Sequence, residues 1–132
     1  MSRASIYAFY GCTALEEIDG LITNAATSPG ECFHNCSSLV RISCPLNVSS
    51  LTSQMDTTFT GCANLEQLEF SGTLRVDTWL SGAPKLTVAS LLSVINSLAD
   101  LTGTGTSKKI TFGARNKAKL TAAQLALVTD KG

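Results

Sequence analysis

Apolar residues recur at every third position in three separate stretches of the chain. Phe9, Cys12, Leu15 and Ile18 make one run, Phe33, Cys36, Leu39 and Ile42 the next, and Phe59, Cys62, Leu65 and Leu68 the third. The runs start 24 and then 26 residues apart, and each keeps the order Phe-x-x-Cys-x-x-Leu-x-x-Ile/Leu. A weaker fourth copy, Leu80, Ala83 and Leu86, begins 21 residues later with aliphatic residues in place of Phe and Cys. Gly11, Asn35 and Gly61 stand just before the three cysteines. Gly and Asn enter the left-handed backbone region most readily, so a tight turn is predicted before each following strand.

A repeat in the low to middle twenties is the length of a leucine-rich repeat, one strand and one return segment per coil. The strand is predicted to begin near the Leu and to alternate its faces. Ile18 and Gly20, Ile42 and Cys44, and Leu68 and Phe70 then point inward. Glu17 and Asp19, Arg41 and Ser43, and Gln67 and Glu69 point outward. Stacked coils place like residues over like, so the Phe, Cys and Leu/Ile positions are predicted to form three interior ladders. A free Cys in such a ladder is a small buried hydrophobe, and Ala83 is a natural substitute.

The C-terminal third has a different pattern. Val88, Leu91, Leu92, Ile95 and Leu98 share the spacing of one helical face. Asp100–Thr106, with Gly103 and Gly105, breaks that helix. Lys108–Phe112 reads as a strand, with Ile110 and Phe112 inward and Lys109 and Thr111 outward. Thr121 and Gln124 match a capping box, followed by about two helical turns through Val128 and a cap at Gly132. The fold class predicted is α/β: a right-handed solenoid of about five strands in a single curved parallel sheet, with irregular and then helical returns. Residues 1–132 form one domain, with repeats near 9–32, 33–58, 59–79, 80–112 and 113–132. Neither end carries an obvious dedicated cap, so the chain reads as a piece of a longer protein, with end-to-end self-association open to it.

Composition narrows the function. Ten basic and ten acidic side chains cancel, and charged residues are only 15% of the chain. No basic field attracts nucleic acid or anionic lipid. The apolar stretch from Val88 to Leu101 is broken by polar residues and is too short to span a bilayer, and the first residues lack the apolar core of a signal peptide. Ser, Thr, Asn and Gly take the place of charge, a composition common in extracellular and virion-surface proteins.

The motif Phe-x-Gly/Asn-Cys-x-x-Leu-x-x-Ile resembles the BspA-type leucine-rich repeat of surface proteins from gut and oral bacteria and some protozoa. The segment from Ile110 through Lys117–Leu125 to Asp130-Lys131-Gly132 is similar to the terminal coil of such proteins, and comparable segments occur in structural proteins of phages. The resemblance covers residues 9–132. It implies a curved solenoid used for adhesion or recognition on a cell or virion surface, with no catalytic residues. The irregular repeat lengths and the Ser- and Thr-rich segment 44–58 depart from the common pattern.

Sharper chemistry has less support in the residues. Cys32, His34, Cys36 and Cys44 could serve zinc, but they lack paired Cys-x-x-Cys knuckles. A Cys32–Cys44 disulfide is conceivable in an oxidising compartment, and buried thiols are the expectation. Ladder cysteines face one another with parallel side-chain vectors that suit a bridge poorly. His34 is the only histidine and lies on a turn beside a structural Cys, so no nucleophile–base pair emerges. Gly103-Thr-Gly105 lacks the lysine and context of a phosphate loop. Asn35 and Asn47 match the glycosylation pattern, of consequence only in a secreting eukaryote. The expectation is therefore a non-enzyme with no cofactor and no metal. Its candidate contacts are Glu17, Asp19, Arg41, Ser43, Gln67, Glu69, Lys109 and Thr111, taking a protein or a glycan of a host or bacterial surface. A spacer or assembly module is the alternative, and these residues are then a solvated face.

Overall fold

The three-residue spacing arises because the backbone turns at every anchor. In the computed structural model, which describes residues 9–19, 31–43 and 45–131, the second and third anchor amides of each run donate to the carbonyl of the anchor three residues before. Cys12 donates to Phe9 and Leu15 to Cys12, and the same pair of bonds recurs as Cys36 to Phe33 and Leu39 to Cys36. Coil three repeats it as Cys62 to Phe59 and Leu65 to Cys62, and coil four as Ala83 to Leu80 and Leu86 to Ala83. A run of such turns puts each third side chain on one side, where it is buried. Gly11, Asn35 and Gly61 have φ of 67°, 60° and 77°, the left-handed turn expected before each cysteine.

Stacking the coils forms the interior ladders. Phe9, Phe33 and Phe59 lie face to face with ring centroids 5.7 Å apart at each step, and Phe70 extends the stack at a tilt. Cys36, Leu39, Cys62, Leu65, Leu80, Ala83 and Leu86 have no solvent exposure. The cysteines do more than fill space: the Cys36 thiol donates to Phe9 O and the Cys62 thiol to Phe33 O, each at 3.0 Å. Burial pushes the Cys62 thiol up to about 12, and desolvation raises Cys36 as well. Cys12, Cys36 and Cys62 carry free thiols, and Cys32 is buried. Cys44, expected inside and as the partner of Cys32, lies outside the described residues, as do Gly20 and Gly132.

The sheet is not the single five-stranded one expected. Among the described residues the strands are two residues long and form three separate parallel pairs. β1 (Glu17–Ile18) pairs with β2 (Arg41–Ile42), and β3 (Leu46–Asn47) with β4 (Phe70–Ser71). β5 (Thr78–Trp79) pairs with β6 (Ile110–Thr111). Isolated bridges, Arg41 to Gln67, Met55 to Thr78 and Leu74 to Leu98, continue the ladders from coil to coil. Turns at the anchors keep every strand short, so each coil contributes to several small sheets around its circumference.

Helix α1 (Val88–Ser97) replaces the fourth coil's strand and is capped by the Thr87 side chain. The face it buries differs from the one predicted. Ser90, Leu91, Val94, Ile95 and Ser97 are inside, while Val88 is exposed and Leu92 and Leu98 are only partly covered. The rotation follows from how the helix meets the strand edge. Ser90 Oγ accepts from Leu68 N at 3.0 Å and donates to Glu66 O, and Ser93 Oγ accepts from Phe70 N at 3.0 Å. Two serines one turn apart thus supply the hydrogen bonds a neighbouring strand would have made.

A short helix α2 (Ala114–Lys117) and helix α3 (Ala122–Asp130) complete the last coil. Thr121 and Gln124 form the predicted capping box. Asn116, fully buried, has its Nδ2 within 3.0–3.1 Å of the carbonyls of Leu80, Ala83 and Phe112. It serves the fifth coil as the thiols serve coils two and three. Phe112, Asn116 and Leu120 are therefore the fifth ladder set, stretched by α2 to four-residue steps.

Candidate functional site

Strand alternation in coils one to three places Glu17, Asp19, Arg41, Ser43, Gln67 and Glu69 on the exposed side, while Ile18, Ile42 and Leu68 between them are buried. Backbone register aligns Glu17 with Arg41 and Arg41 with Gln67, so these three form one cross-coil row. Glu17 Oε1 accepts from Ser43 Oγ at 3.0 Å and lies 3.6 Å from Arg41 Nη1. With both partners about half exposed, the ion pair contributes about 0–1 kcal/mol to stability; it orients the guanidinium more than it holds the fold. The Glu69 carboxylate lies one alternation along the strand from Gln67 and is exposed.

Beside this row the surface steps up onto helix α1, leaving a groove. One part, about 350 Å³, is lined by Ser43, Gln67 and Glu69 on the strand side and by Ala89, Ser90 and Ser93 on the helix. A second depression, about 500 Å³, continues along the helix past Leu92, Ser93 and Asn96 to Gly72. Small side chains at Ala89, Ser90 and Ser93 keep the groove open, and hydroxyl, amide and carboxylate groups edge it. Ala89, Ser93 and Asn96 were not among the predicted contacts. Ala89 and Asn96 are exposed and Ser93 is half-buried, positions that follow from the helix rotation that the Ser90 and Ser93 contacts impose, and polar residues interrupting the apolar stripe were the available signal.

Lys109 and Thr111 do not join this face. Their strand, β6, pairs with β5, part of a different sheet from β1 and β2. The Lys109 amide is held by Asp77 Oδ1 at 2.8 Å, and Thr111 is half-buried with a shielded hydroxyl lacking a hydrogen-bond partner. Treating coil five as another copy of the same strand column put these residues on the wrong sheet.

Elsewhere the polar groups serve the backbone. Tyr10 and His34 stack on the turn column at 5.1 Å, with His34 Nδ1 shielded and unpartnered. Asn35 occupies its left-handed turn, and Gly103 and Gly105 are turn residues with positive φ. Among the described residues no group of three or more His, Cys, Asp or Glu is gathered so as to hold a metal ion, and no helix is long and apolar enough to cross a membrane.

No curated protein and no solved structure matches the chain. The family model described as BspA type Leucine rich repeat region matches it in six copies across residues 2–81. That span holds all three full Phe-x-x-Cys-x-x-Leu sets and the left-handed turns before them. With the ladders, the parallel strand pairs and the matched repeats in agreement over more than half of its length, the chain belongs to the BspA-type leucine-rich-repeat family.

Proposed function

We propose that the chain is a recognition module of a surface-displayed protein and that it contacts a protein or glycan through the row Glu17, Arg41, Ser43, Gln67 and Glu69 and the groove beside α1. Leucine-rich-repeat chains are scaffolds for contact, and this one is non-catalytic. The observation that carries the reading is the pairing of an aligned polar row with an adjoining groove of about 350 Å³. Solenoids bind through such extended faces, with the ligand spanning several coils. The groove's edge groups, the Glu69 carboxylate, the Gln67 amide and several hydroxyls, together with the Glu17 carboxylate and Arg41 guanidinium of the row, suit a partner rich in hydrogen-bonding groups. Display outside a cell or on a virion accords with the family and with the Ser-, Thr- and Asn-rich surface.

Arrays of surface proteins and glycans, probed with the chain and with Arg41→Ala/Glu69→Ala, test this. Retention of a partner by the parent chain and loss of at least about tenfold in affinity in the double variant is the expected result, about 1.4 kcal/mol. A partner retained equally by both chains would exclude this face. An array that retains nothing favours the spacer reading, in which the face is only solvated.

A further inference from the structure

We propose that a second face of the solenoid, centred on Trp79, binds a neutral glycan. It lies on the sheet that β5 and β6 form, separate from the row and groove, and does not depend on the reading given to them. Trp79 is the only tryptophan of the chain. Residues 74–80 alternate strictly, with Leu74, Val76, Thr78 and Leu80 buried and Arg75, Asp77 and Trp79 turned outward. Register extends this face onto both neighbours. Thr78 pairs with Ile110 and Trp79 with Thr111 on one side, and Met55 bridges to Thr78 on the other. The outward positions therefore form two cross-strand rows, Gln54, Asp77 and Lys109 in one and Asp56, Trp79 and Thr111 in the other. At the spacings of a parallel sheet these rows cover about 10 Å by 7 Å, room for one or two sugar rings.

The groups on this face select the ligand. Trp79 is half-buried, and among the described residues its indole N–H makes no hydrogen bond and is not sealed from solvent. A Trp packed only for stability usually gives that donor a partner, and here a ligand can supply one. Asp56 Oδ2 accepts from Gln54 Nε2 at 3.0 Å, and Asp77 Oδ1 accepts from Lys109 N at 2.8 Å. Each carboxylate is thus oriented through one oxygen, with its other oxygen unengaged among the described residues. No ion pair among them ties Asp56, Asp77, Arg75 or Lys109. These two acids and two bases balance, so the face favours neither a cation nor an anion. An alkylammonium group on the indole would use the acceptors alone and meet the Arg75 and Lys109 charges. An acidic sugar would meet the two carboxylates. A neutral pyranose uses the whole array: its C–H face lies on the indole, and its hydroxyls donate to the unengaged carboxylate oxygens and accept from the indole N–H and Lys109 Nζ.

Because Trp79 is the sole tryptophan, its fluorescence reads the site directly. The full chain is titrated with neutral tetrasaccharides of glucose, galactose, mannose and N-acetylglucosamine, and with choline and sialyllactose as cationic and acidic probes. At least one neutral tetrasaccharide is expected to change the emission saturably at millimolar concentration or below, and the two charged probes to leave it unchanged. Calorimetry with that tetrasaccharide should show affinity reduced at least about tenfold in Trp79→Ala and in Asp56→Ala, and retained in Arg41→Ala/Glu69→Ala. Asp56 is exposed, so its variant carries the test if circular dichroism shows that Trp79→Ala does not fold. A glycan held here survives the double variant that reads the row and groove, and a partner of that other face survives Trp79→Ala, so either site can fail without the other. Saturation by none of the neutral tetrasaccharides, preference for choline or sialyllactose, or binding that Trp79→Ala and Asp56→Ala leave intact would overturn the proposal.

Discussion

At the scale of single residues, the fold depends on a few positions where the turn, the thiol or the amide has no substitute. Gly61 combines φ of 77° with a Cβ direction that runs into the Asn35 side chain, whereas Gly11, at φ of 67°, faces open space. Gly61→Ala is therefore expected to cost about 2–4 kcal/mol and Gly11→Ala about 1 kcal/mol, read by denaturant unfolding. Equal losses would mean that backbone strain alone decides both. Asn116→Ala strips three buried carbonyls of their shared donor and should cost about 3 kcal/mol or more. The thiols give a pH signature. A folded value for Cys62 of about 12, against an ordinary 9.0, means the unfolded chain releases this proton first as pH rises. Stability is then intact below about pH 9 and falls between about 9 and 12, with the native thiol inert to alkylation over the lower part of that window. Half-buried Cys12 should be alkylated before Cys36 and Cys62 in the native chain, and equal labelling of Cys12 and Cys62 would contradict the buried ladder.

At the scale of elements, the sequence announced the ladders because an apolar anchor every third residue, repeated in register at the length of one coil, leaves a mark unlike that of an α-helix or a strand. Three left-handed turns and the capping box at Thr121 were equally legible, each resting on local chemistry. What it hid was which edges meet. Among the described residues, six two-residue strands in three sheets replace one continuous sheet because anchor turns interrupt the coils, and periodicity alone does not tell one circumference position from another. Coil five was misplaced for that reason, and with it Lys109 and Thr111. The buried face of α1 departs from its apolar stripe because Ser90 and Ser93 bond the coil-three strand edge. Ser90→Ala leaves Leu68 N and Glu66 O without that partner at a buried edge and should destabilise the chain by about 1–3 kcal/mol. A thermal midpoint unchanged by that substitution would show that the helix is held by its apolar contacts alone.

At the scale of the whole molecule, overall neutrality concealed that seven of the ten acidic side chains fall in residues 1–70. Coils one to three present an exposed row in which Arg41 is tied to Glu17 and Glu69 stands at the mouth of a groove that helix α1 completes. The helix therefore has two roles: it closes the edge of the coil-three strand, and its small residues form one wall of the groove. Recognition through that face is the central claim, and amide chemical-shift mapping tests it most directly. The labelled chain is titrated with a protein or glycan retained on the arrays. The account predicts shifts concentrated at Arg41–Ser43, Gln67–Glu69 and Ala89–Asn96, with the ladder interior unmoved. Shifts centred on other coils, or confined to Lys109–Phe112, would contradict it.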